Sequence, residues 1–154
     1  MMPMHHMGIG IRSMRDADCH AVAALLPDLG YSATPDQLQV RLIALREWPQ
    51  QEAFVAEMGG ALIGLCQIQG VRLLASEGYA EVQALVVATG HQRQGIGNAL
   101  LQHACDWANA LGYERVRLRS GVHREAAHRF YEAAGFPRSK ASYAFERHRP
   151  QTCQ

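Results

Sequence analysis

The segment Gln92-Arg93-Gln94-Gly95-Ile96-Gly97 joins an apolar run, Leu85-Val86-Val87-Ala88, to an amphipathic stretch. Glycines there let the backbone turn so that several N–H groups face one point. A helix that starts at the same place adds its unpaired N–H groups and a partial positive charge. Chemically this is an anion cradle suited to a pyrophosphate. A plain strand-to-helix turn that needs glycine also satisfies these residues. Two other nucleotide loops fit less well. The chain has no GxxxxGK[ST] string, and Gly95-Ile96-Gly97-Asn98-Ala99-Leu100 puts Leu where a GxGxxG fingerprint needs its third glycine. Gly8-Ile9-Gly10 precedes a strand instead of following one.

Metal and thiol chemistry find less support. Cys19, Cys66, Cys105 and Cys153 form no CxxC pair and no zinc spacing. Cys66 and Cys105 fall in strand and helix patterns and read as buried, inert thiols. His123 and His128 lie five apart, which misses the i, i+4 spacing for shared ligation on a helix. No metal is expected.

These residues need a scaffold, and 154 residues suffice for one ordinary domain, with a core from about 9 to 147. Ile9 to Met14 reads as a first strand. Asp16 or Asp18 then caps a helix with Val22, Leu25, Leu26 and Leu29 at helical spacing, stopped by Gly30. Thr34-Pro35-Asp36-Gln37 supplies N-cap, proline at the first position and Gln three residues after the cap. Leu38, Leu42 and Leu45 form that helix's apolar face, and Trp48-Pro49 ends it. Ala53–Met58 and Ala61–Gln69 flank Gly59-Gly60 as a hairpin. Tyr79 to Ala88 is a strand, with Val82, Ala84 and Val86 on one face and Glu81, Gln83 and Leu85 on the other. The stripe Leu100, Ala104, Trp107, Ala108, Leu111 marks a helix ended by Gly112. Arg115 to Ser120 alternates Val116 and Leu118 against Arg115, Arg117 and Arg119, a strand whose polar face is solvated or faces a second copy. Glu125 to Ala134 is a helix closed by Gly135-Phe136, and Ala141 to Arg147 reads as a last strand. The order β-α-α-β-β-β-α-β-α-β is an α/β (α+β) sandwich.

Gln92-x-x-Gly95-x-Gly97 after Leu85-Val86-Val87 resembles the acetyl-CoA-binding motif of the GCN5-related N-acetyltransferase (GNAT) superfamily, [QR]-x-x-G-x-[GA]. Phe130-Tyr131-Glu132-Ala133-Ala134-Gly135-Phe136 resembles that family's FYEKxGF segment. The resemblance covers about Ile9 to Arg147 and implies a mixed central sheet of six to seven strands with about four helices. Two central parallel strands, here Glu81–Ala88 and Arg115–Ser120, would splay at a bulge with acetyl-CoA as cosubstrate between them. Backbone groups of Leu85, Val86 and Val87 would meet the thioester and pantetheine. The N–H groups of Gln92, Arg93, Gln94, Gly95, Ile96, Gly97 and Asn98 would hold the pyrophosphate. Glu81 would be the general base, with His123 the lesser alternative, and Tyr131 the acid for the leaving thiolate. Where many members carry an Asn that contacts the cofactor, this chain has Arg124, which either takes over that contact or is a solvated surface charge.

Acyl transfer to an amine needs a base for the ammonium proton, a donor for the oxyanion and an acid for the thiolate. Glu81, the Leu85 N–H and Tyr131 are matched to these tasks, for direct attack in a ternary complex. A non-catalytic CoA or acetyl-CoA sensor or interaction module is the alternative, and it has no use for Glu81 and Tyr131. Fifteen Lys+Arg against fourteen Asp+Glu leave a formal charge of +1, which argues against non-specific nucleic-acid binding. Fourteen of the fifteen basic residues are Arg, Lys140 being the exception, which reads mainly as coding bias. No apolar run is long enough for a membrane span, and no secretory signal precedes the first strand. Reduced thiols suggest a cytoplasmic protein. The resemblance implies that the acceptor, a small-molecule or peptide amine, would meet Leu29 to Pro35, with Tyr31 and Ser32, and Pro137 to Tyr143. Asp28 and Asp36 flank the first segment as cation attractors or plain exposed caps. The last strand offers an exchange surface for a homodimer.

Overall fold

A computed structural model describes residues 8–150, and Cys153 lies outside the described residues. The described chain divides into two compact units, one ending at Arg119 and one starting at Ser120.

The first unit holds β1 (Gly10–Ser13), α1 (Cys19–Leu25), α2 (Pro35–Glu47), β2 (Gln51–Met58), β3 (Ala61–Val71), β4 (Tyr79–Val87), α3 (Ile96–Ala110) and β5 (Val116–Leu118). Short 3-10 turns at Asp16–Asp18 and Leu26–Leu29 flank α1. The five strands run in the order β1-β2-β3-β4-β5, antiparallel except for the parallel pair β4–β5. The capping box of α2 is present in full: Gln37 N–H donates to Thr34 Oγ1 and Thr34 N–H to Gln37 Oε1. Gly30 and Gly112 take left-handed φ of +83° and +91° where helices stop. At the end of α3, Tyr113 N–H reaches Ala108 O and Gly112 N–H reaches Asn109 O, a Schellman closure.

The sheet is covered on both faces. On one, Val55 and Leu65, opposite each other in register, pack with Val22 and Leu25 of α1 and with Val86. On the other, Phe54 meets His103 of α3 edge to face at 4.5 Å, and Gly64 lies under Leu100. Ile96, Leu100, Leu101, Ala104 and Ala108 of α3 are buried. Each large apolar side chain so enclosed contributes about 1.5–3 kcal/mol relative to exposure.

The alternation expected along β4 breaks at Gln83. Val82 pairs with Ile68 and Ala84 with Gln67, so Gln83 is the extra residue of a β-bulge. Past it every side chain changes face. Glu81, opposite Gln69, shares the α1 side with Val86, opposite Leu65; Val82 shares the α3 side with Leu85, opposite Cys66. Both Val82 and Val86 are buried because both faces are covered. Alternation alone cannot register a bulge, since one inserted residue inverts the period of two.

The second unit carries α4 (Glu125–Ala133). Phe136 N–H donates to Tyr131 O at 2.8 Å and Gly135 N–H to Glu132 O at 3.2 Å, the glycine closure expected at Gly135-Phe136. The expected last strand is absent: residues 136–150 form neither helix nor strand, and Tyr143 and Phe145 are exposed. Five strands and four α-helices among the described residues thus replace the expected six to seven strands. Ala141 to Arg147 does alternate, but alternation supplies faces, whereas a strand also needs a neighbouring edge to bond.

Candidate acetyl-transfer site

The parallel strands β4 and β5 pair over three residues only, Ala80↔Val116, Glu81↔Arg117 and Val82↔Leu118. Pairing stops where the bulge turns β4. From Gln83 to Val87 the strand keeps β3 on one edge and has no β5 partner on the other. Leu85, Val86 and Val87 therefore lie where an extended ligand can add as a strand.

Directly beyond β4 the chain makes a tight turn, His91 N–H donating to Ala88 O at 3.0 Å. Three positions of the connection take positive φ: Gly90 (+93°), Arg93 (+65°) and Gly95 (+81°). Gly95 is the N-cap of α3, and no side chain caps that terminus. The first intrahelical bond runs from Ala99 N–H to Gly95 O, so the N–H groups of Ile96, Gly97 and Asn98 are the orphan donors of the helix start. Buried Ile96 roots this end in the core, while Gln92, Arg93, Gln94, Gly95 and Asn98 are exposed. The Gln92 amide donates weakly to Val87 O at 3.5 Å. Uncapped donors, left-handed turns and the positive end of a 15-residue helix form a donor set that fits a pyrophosphate. Thr89 donates to Asp28 Oδ2 at 3.3 Å and ties this connection to the turn after α1; Asp36 is exposed in the first turn of α2.

Glu81 is not a solvated residue. Its side chain is 14% exposed and its Oε2 lies 3.2 Å from Arg117 Nε and 3.7 Å from Arg119 Nε. Neither approach gives Oε2 a well-aligned hydrogen bond. Oε1 accepts from the Gln83 amide at 3.1 Å. The parallel register causes the pairing, because Glu81 stands directly opposite Arg117. Arg117 also stacks on the Tyr79 ring at 4.3 Å, with Arg115 on the same ring at 5.5 Å. The arginine face expected to be solvated or dimer-facing is thus partly occupied by Glu81 and Tyr79. The sequence signal was there in Arg115, Arg117 and Arg119, but it needed the register to reveal its partner.

In the second unit, Arg124 is exposed at the N-cap of α4, with no side-chain cap, and His123 is exposed beside it. Tyr131 is half-buried with its ring edge-on to Phe130 at 5.5 Å. His128 bonds Gly121 O at 2.8 Å, holding the loop before α4. Burial pushes the Cys66 thiol up to about 12, and Cys105 is raised by burial too, so both are poor nucleophiles at neutral pH. Among the described residues no three His, Cys, Asp or Glu side chains gather as a metal site, and no helix is long and apolar enough to cross a membrane.

The profile of the Acetyltransferase (GNAT) family matches residues 19–136. An uncharacterized N-acetyltransferase of Methanocaldococcus jannaschii is 31% identical over 85 residues, covering 54% of this chain. The chain spans only 38% of that relative's length. N-alpha-acetyltransferase 30 of Schizosaccharomyces pombe is 31% identical over 103 residues, covering 66% of this chain and 67% of that protein. Aminoglycoside N-acetyltransferase AAC(6')-Iy, solved in complex with CoA, superposes with a TM-score of 0.80 at 14% identity. That match covers 91% of this chain and 95% of the other, and at such identity it speaks for the fold. A profile match across most of the chain, over a sheet that opens at a bulge beside an uncapped helix start, places this chain in the GNAT acetyltransferase family.

Proposed function

We propose that this chain is an acetyl-CoA-dependent N-acetyltransferase that moves an acetyl group to a primary amine by direct attack in a ternary complex. The observation that carries the reading is the end of β4–β5 pairing at Val82 and Leu118, with the uncapped start of α3 following the open strand. Residues 92–98 hold the pyrophosphate through backbone N–H groups, and Leu85 to Val87 receive the pantetheine arm as an added strand. The Leu85 N–H stabilises the oxyanion of the tetrahedral intermediate. Glu81 takes the ammonium proton through water, its carboxylate being already flanked by Arg117 and Arg119. By resemblance to the family's motifs, Tyr131 is the proposed acid for the departing thiolate and Arg124 a proposed cofactor contact. We take both units as one acetyltransferase domain, working in a cytoplasm.

The same ion pairs favour a second reading, a CoA-binding module without turnover, in which Glu81 only locks β4 to β5. Calorimetric titration with acetyl-CoA, followed by thiol release against a panel of amines, decides between the two. Saturable binding with amine-dependent release supports the enzyme. Binding without release from any amine leaves the module, and no binding defeats both.

A further inference from the structure

The strand face that carries Glu81 holds more cation than anion. Arg117 and Arg119 both lie against its carboxylate, and Arg115 lies against Tyr79 on the same side. Two guanidiniums and one carboxylate leave a local excess of positive charge. Arg117 is committed: it stacks on Tyr79, pairs with Glu81 and is 30% exposed. Arg119 is different. It is 58% exposed, its approach to Glu81 is 3.7 Å, and it is the first residue past the last paired position of β5. Its fork of N–H groups therefore stands at the lip of the opening between the strands with donors to spare.

We propose that the acceptor carries an oxyanion group, a carboxylate or a phosphate, close to its amine, and that Arg119 binds that group with Arg117 behind it. The proposal rests on the acetyltransferase reading, in which Glu81 faces the acceptor. A purely cationic amine meets net repulsion at this place. An acceptor with its own anion cancels the excess, pairs with the guanidinium fork in two parallel hydrogen bonds and leaves its amine toward Glu81. Local positive charge also favours the neutral, attacking form of the amine over the ammonium. The chemical class is thus an amino acid or aminoalkyl phosphate rather than a polyamine.

The test uses matched acceptors in the thiol-release assay: an amino acid, its amide and its decarboxylated amine, and in parallel ethanolamine phosphate against ethanolamine. We expect kcat/KM to be about 10- to 100-fold higher for the anionic member of at least one set, the size of one charge-assisted contact. The set that shows it tells carboxylate from phosphate. Arg119→Gln should collapse that ratio, and Arg119→Lys should keep part of it; the exposed position lets both fold, which thermal melting checks. Equal kcat/KM within both sets, or a ratio that Arg119→Gln leaves unchanged, overturns the proposal while leaving the acetyltransferase intact. No release from any amine overturns the acetyltransferase reading and this proposal with it.

Discussion

The opening between β4 and β5 depends on where β5 is anchored, and Gly70→Ala tests that anchor. Tyr113, two residues before β5's parallel pairing begins with Ala80 N–H on Arg115 O, is 3% exposed. Its hydroxyl donates to Gln50 Oε1, and Arg72 lies over its ring at 4.6 Å. Gly70 N–H in turn donates to Gln50 O at 2.7 Å. A Cβ on Gly70 would sit 2.6 Å from Tyr113 Cζ and 2.8 Å from Cε2, and nearer still to the hydroxyl. Ordinary carbon contacts begin near 3.5 Å, so the ring must move by roughly 1 Å. It cannot do so and keep the Gln50 bond. Loss of the ring's packing costs about 3 kcal/mol, at the low end of removing a buried aromatic. For a chain of this size that is roughly 6–12 °C in Tm. The assay is thermal and urea unfolding of Gly70→Ala, Tyr113→Ala and the double variant. Each single variant should lose several degrees, and Gly70→Ala should cost almost nothing once the ring is gone. A Gly70→Ala protein that melts within about a degree of the parent, or costs that simply add, would show that the Tyr113 ring is not what the new Cβ displaces.

Arg12 grips Asp18 with two hydrogen bonds of 2.7 and 2.8 Å and holds its carboxyl below the usual carboxylate range. A depressed pKa means stability that is present above about pH 4 and lost as pH falls through the lower folded value. Asp18→Asn should therefore destabilise at pH 7, by about 1.5–3 kcal/mol because Arg12 keeps Glu57 as a partner, and flatten acid unfolding below pH 4; an unchanged acid limb in urea titrations would contradict the pairing. Glu81→Gln should lower kcat/KM about 10²- to 10⁴-fold near pH 7, with the deficit shrinking at high pH where free amine is abundant; a pH profile parallel to the parent's removes Glu81 as base. Tyr131→Phe should lower kcat while calorimetric acetyl-CoA affinity holds, and unchanged turnover takes Tyr131 out of the mechanism. Gly95→Val, at a φ of +81°, should weaken acetyl-CoA binding at least tenfold, because a β-branched residue resists that conformation; intact affinity would mean that the turn does not shape the cradle.

What the sequence revealed and what it hid follow one physical rule. Local devices are written in a few adjacent residues, and those were legible: the Thr34–Gln37 capping box, the hairpin at Gly59-Gly60, the glycine closures at Gly112 and Gly135. The left-handed turn and helix start around Gly95 were legible for the same reason, since they are contiguous. Features that depend on register were not. Nothing in the order Glu81-Val82-Gln83-Ala84 shows that Gln83 is the inserted residue, yet that insertion decides which face Leu85 and Val86 take. Nor does the alternation of Arg115, Arg117 and Arg119 say that the middle one stands opposite Glu81. The expected strand from Ala141 to Arg147 failed on the same ground, for it had a pattern and no partner. The chemistry of the site thus divides along this line. The proposed cofactor end rests on contiguous backbone, whereas the proposed acceptor end rests on side chains that only strand pairing brings together, so experiments on Arg117, Arg119 and Glu81 will say more about the substrate than further changes in the glycine loop.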